Sequence, residues 1–216
     1  MKNHIFLFFV SILFLAFCGA ANAQTNQIGF IAGINIANLE EEDSDFSSLT
    51  GFGFGGVLDF ALGDKFSLCL QPMYLQKGAS EEEGEVTLEI KMTYIEIPIL
   101  FKFYLGSGDT KPYLMAGPTI GINLSSDMEM SSGGMSVEVD FSNVTETLDY
   151  GLAFGGGVSF PVGTNSLLFI EAKYVLGLAD IVKEGEVELG GETLQVEDAE
   201  VKTSGIQIMA GMTFPL

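Results

Sequence analysis

Residues 94–105 read Tyr94-Ile95-Glu96-Ile97-Pro98-Ile99-Leu100-Phe101-Lys102-Phe103-Tyr104-Leu105. Every odd position from Ile95 to Leu105 is large and apolar, while Glu96 and Lys102 put opposite charges on the even positions. A period of two is the mark of a strand, whose successive side chains leave by opposite faces. A soluble sandwich or carrier barrel would turn its bulky apolar face inward. Here the opposite face carries paired charges, and in the other segments Gly, Ser, Thr and Asn, which suits a narrow polar lumen with lipid outside.

Seven more segments repeat the pattern: 28–36, 52–62, 66–74, 114–124, 150–160, 168–178 and 206–216. Each has roughly the 9–11 residues of a tilted strand crossing a bilayer. Eight is an even number, as bacterial single-chain barrels use. The links alternate in length. Gly63 to Lys65, Gly106 to Lys111 and Pro161 to Asn165 are short; 38–49, 78–93, 125–147 and 179–203 are long. Short turns on the periplasmic rim and long loops outside is the barrel arrangement. The expected fold is therefore all-β: an eight-stranded antiparallel transmembrane β-barrel, an up-and-down meander, forming one domain over residues 24–216.

Finer signals sit in the long links. Gly133-Gly134 and Gly190-Gly191 each divide two short alternating segments, the signature of a hairpin that projects beyond the membrane. In the fourth segment the apolar parity changes from even (Leu88, Ile90, Met92) to odd (Ile95 onward). A bulge near Tyr94, or the end of the lipid zone, accounts for that.

Residues 1–23 read as a secretory signal peptide. Lys2 is followed by an apolar run from Ile5 to Phe17, and Ala21-Asn22-Ala23 is a cleavage signal. Phe17 before Cys18 disfavours a lipid-modified cysteine. Cleavage after Ala23 removes His4, the sole histidine, and leaves Cys69 as the sole cysteine. No intramolecular disulfide, Cys/His zinc site or His-dependent catalytic pair can then be assembled. An enzyme is not expected, and no cofactor. The chain carries 29 Asp and Glu against 9 Lys, with no Arg, for a net charge of −20. Nucleic acid is excluded as a partner, because phosphate binding needs clustered basic residues.

The set of motifs resembles the outer-membrane β-barrel proteins of Bacteroidetes, the PorT-like, porin-family barrels. The residues that carry the likeness are Ile31-Ala32-Gly33-Ile34-Asn35, Leu70-Gln71-Pro72-Met73-Tyr74, the segment from Tyr94 to Lys102, Pro112-Tyr113-Leu114-Met115-Ala116-Gly117-Pro118, and Glu171-Ala172-Lys173-Tyr174-Val175-Leu176-Gly177-Leu178. The resemblance implies an eight-stranded barrel in the outer membrane and no particular activity. The end of the chain, Phe214-Pro215-Leu216, departs from the terminal aromatic that many barrels use in insertion.

Two groups of residues are candidates for function. Asp59, Gln71, Lys77, Glu96, Lys102, Asp149, Glu171 and Lys173 share the lumen parity. Glu96 and Glu171 could form an acid/base pair or an ion path. Eight-stranded barrels have room inside only for side chains, so a salt-bridge network that fills the lumen is the preferred reading. The second group is the acidic runs Glu40-Glu41-Glu42-Asp43 and Glu81-Glu82-Glu83, expected to attract divalent cations loosely, without the spacing of a dedicated calcium loop. Of the 29 acidic residues, 23 fall in the four long links, so the charge forms an outer crown and the hydrophobicity an apolar belt. The function expected is a structural or interaction scaffold in the outer membrane that displays acidic loops to an unidentified surface or protein partner. The alternative is a small cation-preferring pore.

Overall fold

A computed structural model describes residues 26–40, 47–84, 86–106, 108–133, 135–163, 165–189, 192–196 and 199–216. The signal segment 1–23 and the run Glu41 to Asp43 lie outside the described residues. The strands are β1 (Gln27–Glu40), β2 (Ser47–Ala61), β3 (Phe66–Leu70), β4 (Met73–Glu83), β5 (Val86–Tyr104), β6 (Lys111–Ser132), β7 (Met135–Asp140), β8 (Leu148–Val162), β9 (Ser166–Gly177), β10 (Gly185–Leu189), β11 (Glu192–Val196) and β12 (Lys202–Pro215), with a 3-10 turn at Ser142–Val144.

Eight staves close into a ring. Each pairs antiparallel with its chain neighbour, and β12 returns to pair with β1 from Gln27↔Pro215 to Glu40↔Lys202. β3 and β4 are one stave. Their pairing with β2 and β5 keeps register across Gln71-Pro72, where Gln71 faces Pro98 and each proline lacks the N–H a ladder needs. The Gln71 amide still donates to the Pro98 carbonyl, 3.1 Å.

The side chains are sorted inside out relative to a soluble protein. Phe30 is 56% exposed and Phe154 52%, whereas Lys173 and Glu171 are each 1% exposed. Contact with lipid makes such an apolar exterior, running around the ring, favourable. Aromatic clusters stud this outer face, such as Phe66 with Phe101 and Phe103, and Phe30 with Phe214. Phe214 thus joins the belt one stave away from the first strand.

The strands are longer than the sequence segments. β6 has 22 residues, roughly 70 Å of strand at about 3.3 Å each, far more than the ~25 Å apolar band of an outer-membrane barrel. The excess rises on the side away from the chain termini and forms a collar. This corrects the reading of 78–93 as a loop. β4 runs to Glu83 and β5 starts at Val86, so the acidic run Glu81 to Glu83 lies on a paired strand. Strand pairing overrides the low strand propensity of Glu where the face is wet. The hairpins expected in 125–147 and 179–203 are β6–β7 and β10–β11.

The register break near Tyr94 is real, but the extra residue is on β6. Thr93 pairs with Ser125 and Tyr94 with Asn123, leaving Leu124 without a partner. β5 therefore keeps its even residues inward throughout. Its change of parity reflects a change in what the inside is made of: ionic from Glu96 to Lys102, apolar at Ile90 and Met92. On β6 the bulge does the opposite. It turns the even, lipid-facing parity of Ile120 and Ile122 into the inward parity of Met128 and Met130.

Candidate functional site

The lumen holds two tiers of charge. The lower tier lies on the side of the termini. Glu171 on β9 accepts from Gln71 Nε2 and Tyr113 OH, both at 2.8 Å, with Lys173 Nζ at 3.4 Å and Lys102 Nζ at 3.8 Å. Lys173 also donates to Gln71 Oε1 at 2.7 Å. Lys102 reaches Asp59 at 3.3 Å and lies 4.7 Å from the Tyr113 ring centroid. Two lysines and two carboxylates balance here. In the upper tier Lys77 bridges Glu96 at 2.8 Å and Asp149 at 2.9 Å, over the Tyr94 ring. Gln207 donates to the second oxygen of Glu96 at 2.9 Å, and Thr203 donates to Asp149 at 3.0 Å.

All eight lumen candidates meet in these two tiers. Tyr113, Tyr94, Thr203 and Gln207 were not among the candidates. All four sit on inward positions, but only the folded ring shows that Tyr113, Thr203 and Gln207 each reach a carboxylate and that Tyr94 lies under Lys77. Tyr113 is the chief of them, because its hydroxyl is a donor to a buried anion. Hydrogen bonds to charged groups contribute about 1.5–3 kcal/mol. Tyr113→Phe is expected to lower the unfolding free energy by about that amount, read from a urea titration of the refolded barrel in lipid vesicles.

Below the lower tier a polar vestibule of about 370 Å³ opens toward the short turns, lined by Asp59, Asp64, Lys111 and Ser159 and reaching Lys102 and Tyr113. Above the upper tier the inside becomes apolar. Leu39, Ala79, Ile90, Met92, Ile181 and Val201 pack with Tyr94 as a plug over Lys77. On this plug rests a second cavity of about 690 Å³, inside the collar.

The acidic crown is spread along collar strands. Glu40 is exposed at the end of β1, in register with Lys202, and Glu81 is exposed on β4. Among the described residues no group of three or more His, Cys, Asp or Glu is placed to hold a metal ion. Hydrogen bonds from Lys91 to Glu89 and Glu129 hold its ammonium up at about 12. The Asp140 carboxyl is held below the usual carboxylate range by its hydrogen bonds from Ser142, which begin the 3-10 turn.

A family model described as "Outer membrane protein beta-barrel domain" matches residues 22–183. The chain belongs to this family. The match ends before β12, yet that strand completes the outer-membrane barrel by pairing with both β9 and β1. Among solved structures, a major outer membrane protein from Thermus thermophilus is 10% identical with a TM-score of 0.54, covering 89% of this chain and 100% of its own. OprG from Pseudomonas aeruginosa is 11% identical with a TM-score of 0.51, covering 89% and 96%. Ail, the attachment invasion locus protein of Yersinia pestis, is 15% identical with a TM-score of 0.44, covering 88% and 100%. At such identities the first two likenesses speak to fold alone. No curated protein matches the chain.

Proposed function

We propose that this outer-membrane barrel is a non-conducting scaffold whose extracellular collar is the working part, presenting an acidic crown to a surface or protein partner. After cleavage following Ala23 it would join the PorT-like barrels of Bacteroidetes, which its strand motifs resemble. The observation that carries the reading is the filled lumen. Two ionic tiers and an apolar plug stand in series between the vestibule and the outside. An ion would have to displace Lys102 from Asp59, then Lys77 from Glu96 and Asp149, and then enter hydrocarbon. Each step exposes a charge with little water to receive it. Outer-membrane lipid is the partner of the belt. Divalent cations associate loosely with the crown as counter-ions.

A small cation-preferring pore is the second reading. The open vestibule favours it, with Asp59 and Asp64 on its wall beside Lys102 and Lys111. Planar-bilayer recording at high potassium chloride separates the two. The full-length mature barrel is expected to insert without discrete current steps. Steps that reverse at the potassium potential in a salt gradient would establish the pore instead.

A further inference from the structure

The collar cavity has the make-up of a ligand site, and its construction selects the ligand. One wall is a shelf of three residues in register across adjacent strands: Ile90 on β5, Met128 on β6 and Val139 on β7. Val187 and Leu194, paired on the β10–β11 hairpin, line another part of the wall. Ile181 and Val201 are buried in the lining. Among the described residues, Thr145 brings the only polar side chain to the lining, and its hydroxyl already donates to the Phe141 carbonyl at 3.1 Å. The lining backbone is also paired, through Ile181 to Val201, Glu146 to Ile181 and Lys183 to Val144.

We infer that this cavity binds an uncharged, largely apolar small molecule from the extracellular side. Among the described residues the lining offers no free side-chain donor and no cation, so an anion would lose its water without compensation. Strand alternation also places acids on the opposite faces of the same segments. Glu129 lies between Met128 and Met130, and Glu138 between Val137 and Val139. An anionic ligand approaching the collar would pass these outward acids, of which Glu129 is paired with Lys91. The volume falls in the range of small-molecule sites. Compared with a benzene-sized void of about 150 Å³, it admits a molecule of roughly 20–30 heavy atoms. Met92, Met128 and Met130 make the wall adaptable in shape. The inference does not depend on the lumen being closed, because the apolar plug separates cavity from lumen.

The test uses the full-length mature protein in lipid nanodiscs with neutral N-phenylnaphthylamine as probe. Saturable fluorescence enhancement is expected at one site per barrel. Val139→Glu and Met128→Trp, which charge and fill the cavity, are each expected to weaken binding about tenfold or more. The anionic anilinonaphthalene sulfonate is expected to bind about tenfold or more weakly than the neutral probe. Unchanged heat-modifiable gel mobility certifies each variant's barrel, and Val137→Glu on the projecting hairpin replaces any variant that fails it. Non-saturable partitioning that all variants share, or equal affinity for the sulfonate, would overturn the inference. So would a phospholipid retained in native mass spectra that the neutral probe does not displace, since the occupant would then be a membrane lipid.

Discussion

Lys77→Met is expected to destabilise the folded barrel by about 3–5 kcal/mol, the usual consequence of removing one member of a buried ion cluster. The methionine fits the space, so packing is not the cause. Glu96 and Asp149 would be left facing each other, 1% and 3% exposed, with Gln207 and Thr203 and, among the described residues, no cation in ion-pair contact. Each carboxylate would keep its desolvation cost and lose the charge that offset it. Urea titration in vesicles, followed by the compact band on unboiled gels, measures the change. A loss below about 1 kcal/mol would place the tier with surface pairs and sink the account. The triple variant Lys77→Met, Glu96→Leu, Asp149→Leu carries the argument further. With all three charges gone the penalty disappears, so stability is expected to return close to wild type or exceed it. The tier thus matters more for which side chains face inward than for net stability.

Gly155→Val is the second large effect, and it arises from space alone. Gly155 faces inward on β8, opposite Lys173 on β9. A Cβ there would collide with the Ala172 carbonyl and come within 2.6 Å of Lys173 Cα. Backbone cannot swing aside as a side-chain tip can, so β8 and β9 must separate and the Lys173–Gln71–Glu171 contacts with them. Overpacking of this kind costs about 1–3 kcal/mol by itself, and the disturbed lower tier adds to it. The expected result is a compact band lost at lower urea. Phe154→Leu, one residue away but facing lipid, is expected to leave the midpoint unchanged. A Gly155→Val barrel as resistant as wild type would show that the staves can spread without penalty.

Much of this was legible from residue order because period two survives any loop length. Ile95 to Leu105 alone separated an outside from an inside, and parity carried Asp59, Gln71, Lys77, Glu96, Lys102, Asp149, Glu171 and Lys173 to the same lumen. What parity does not show is azimuth and height around the ring. Tyr113 finds Glu171 because β6 and β9 flank the same strand, β8, and Gly157 on β8 leaves space for its ring to cross between them. A Cβ on Gly157 would stand 2.6 Å from the Tyr113 hydroxyl. The β6 bulge was hidden for a different reason. Leu124 changes which way the strand faces just where the inside changes from polar to apolar, so the two effects cancel in the sequence and the even parity looks unbroken. On β5 only the inside changes, and the sequence shows a switch that the backbone never makes. The collar cavity was hidden too, since its shelf and its roof come from hairpins roughly 50 residues apart.

The seam between β1 and β12 sets a clock. Thr213 donates to Gln27 at 2.8 Å across 186 positions of chain, and the Leu216 amide fastens to the Asn26 carbonyl at 2.8 Å. The other staves pair with chain neighbours through turns or hairpins and can zip locally. This pairing joins strands far apart in the chain, and contacts so distant in sequence form slowly. Until then β1 and β12 are two open edges able to recruit any other extended chain. Ring closure is therefore expected to be the slow step of assembly, with the lifetime of the open ring setting how long the protein is exposed to mispairing.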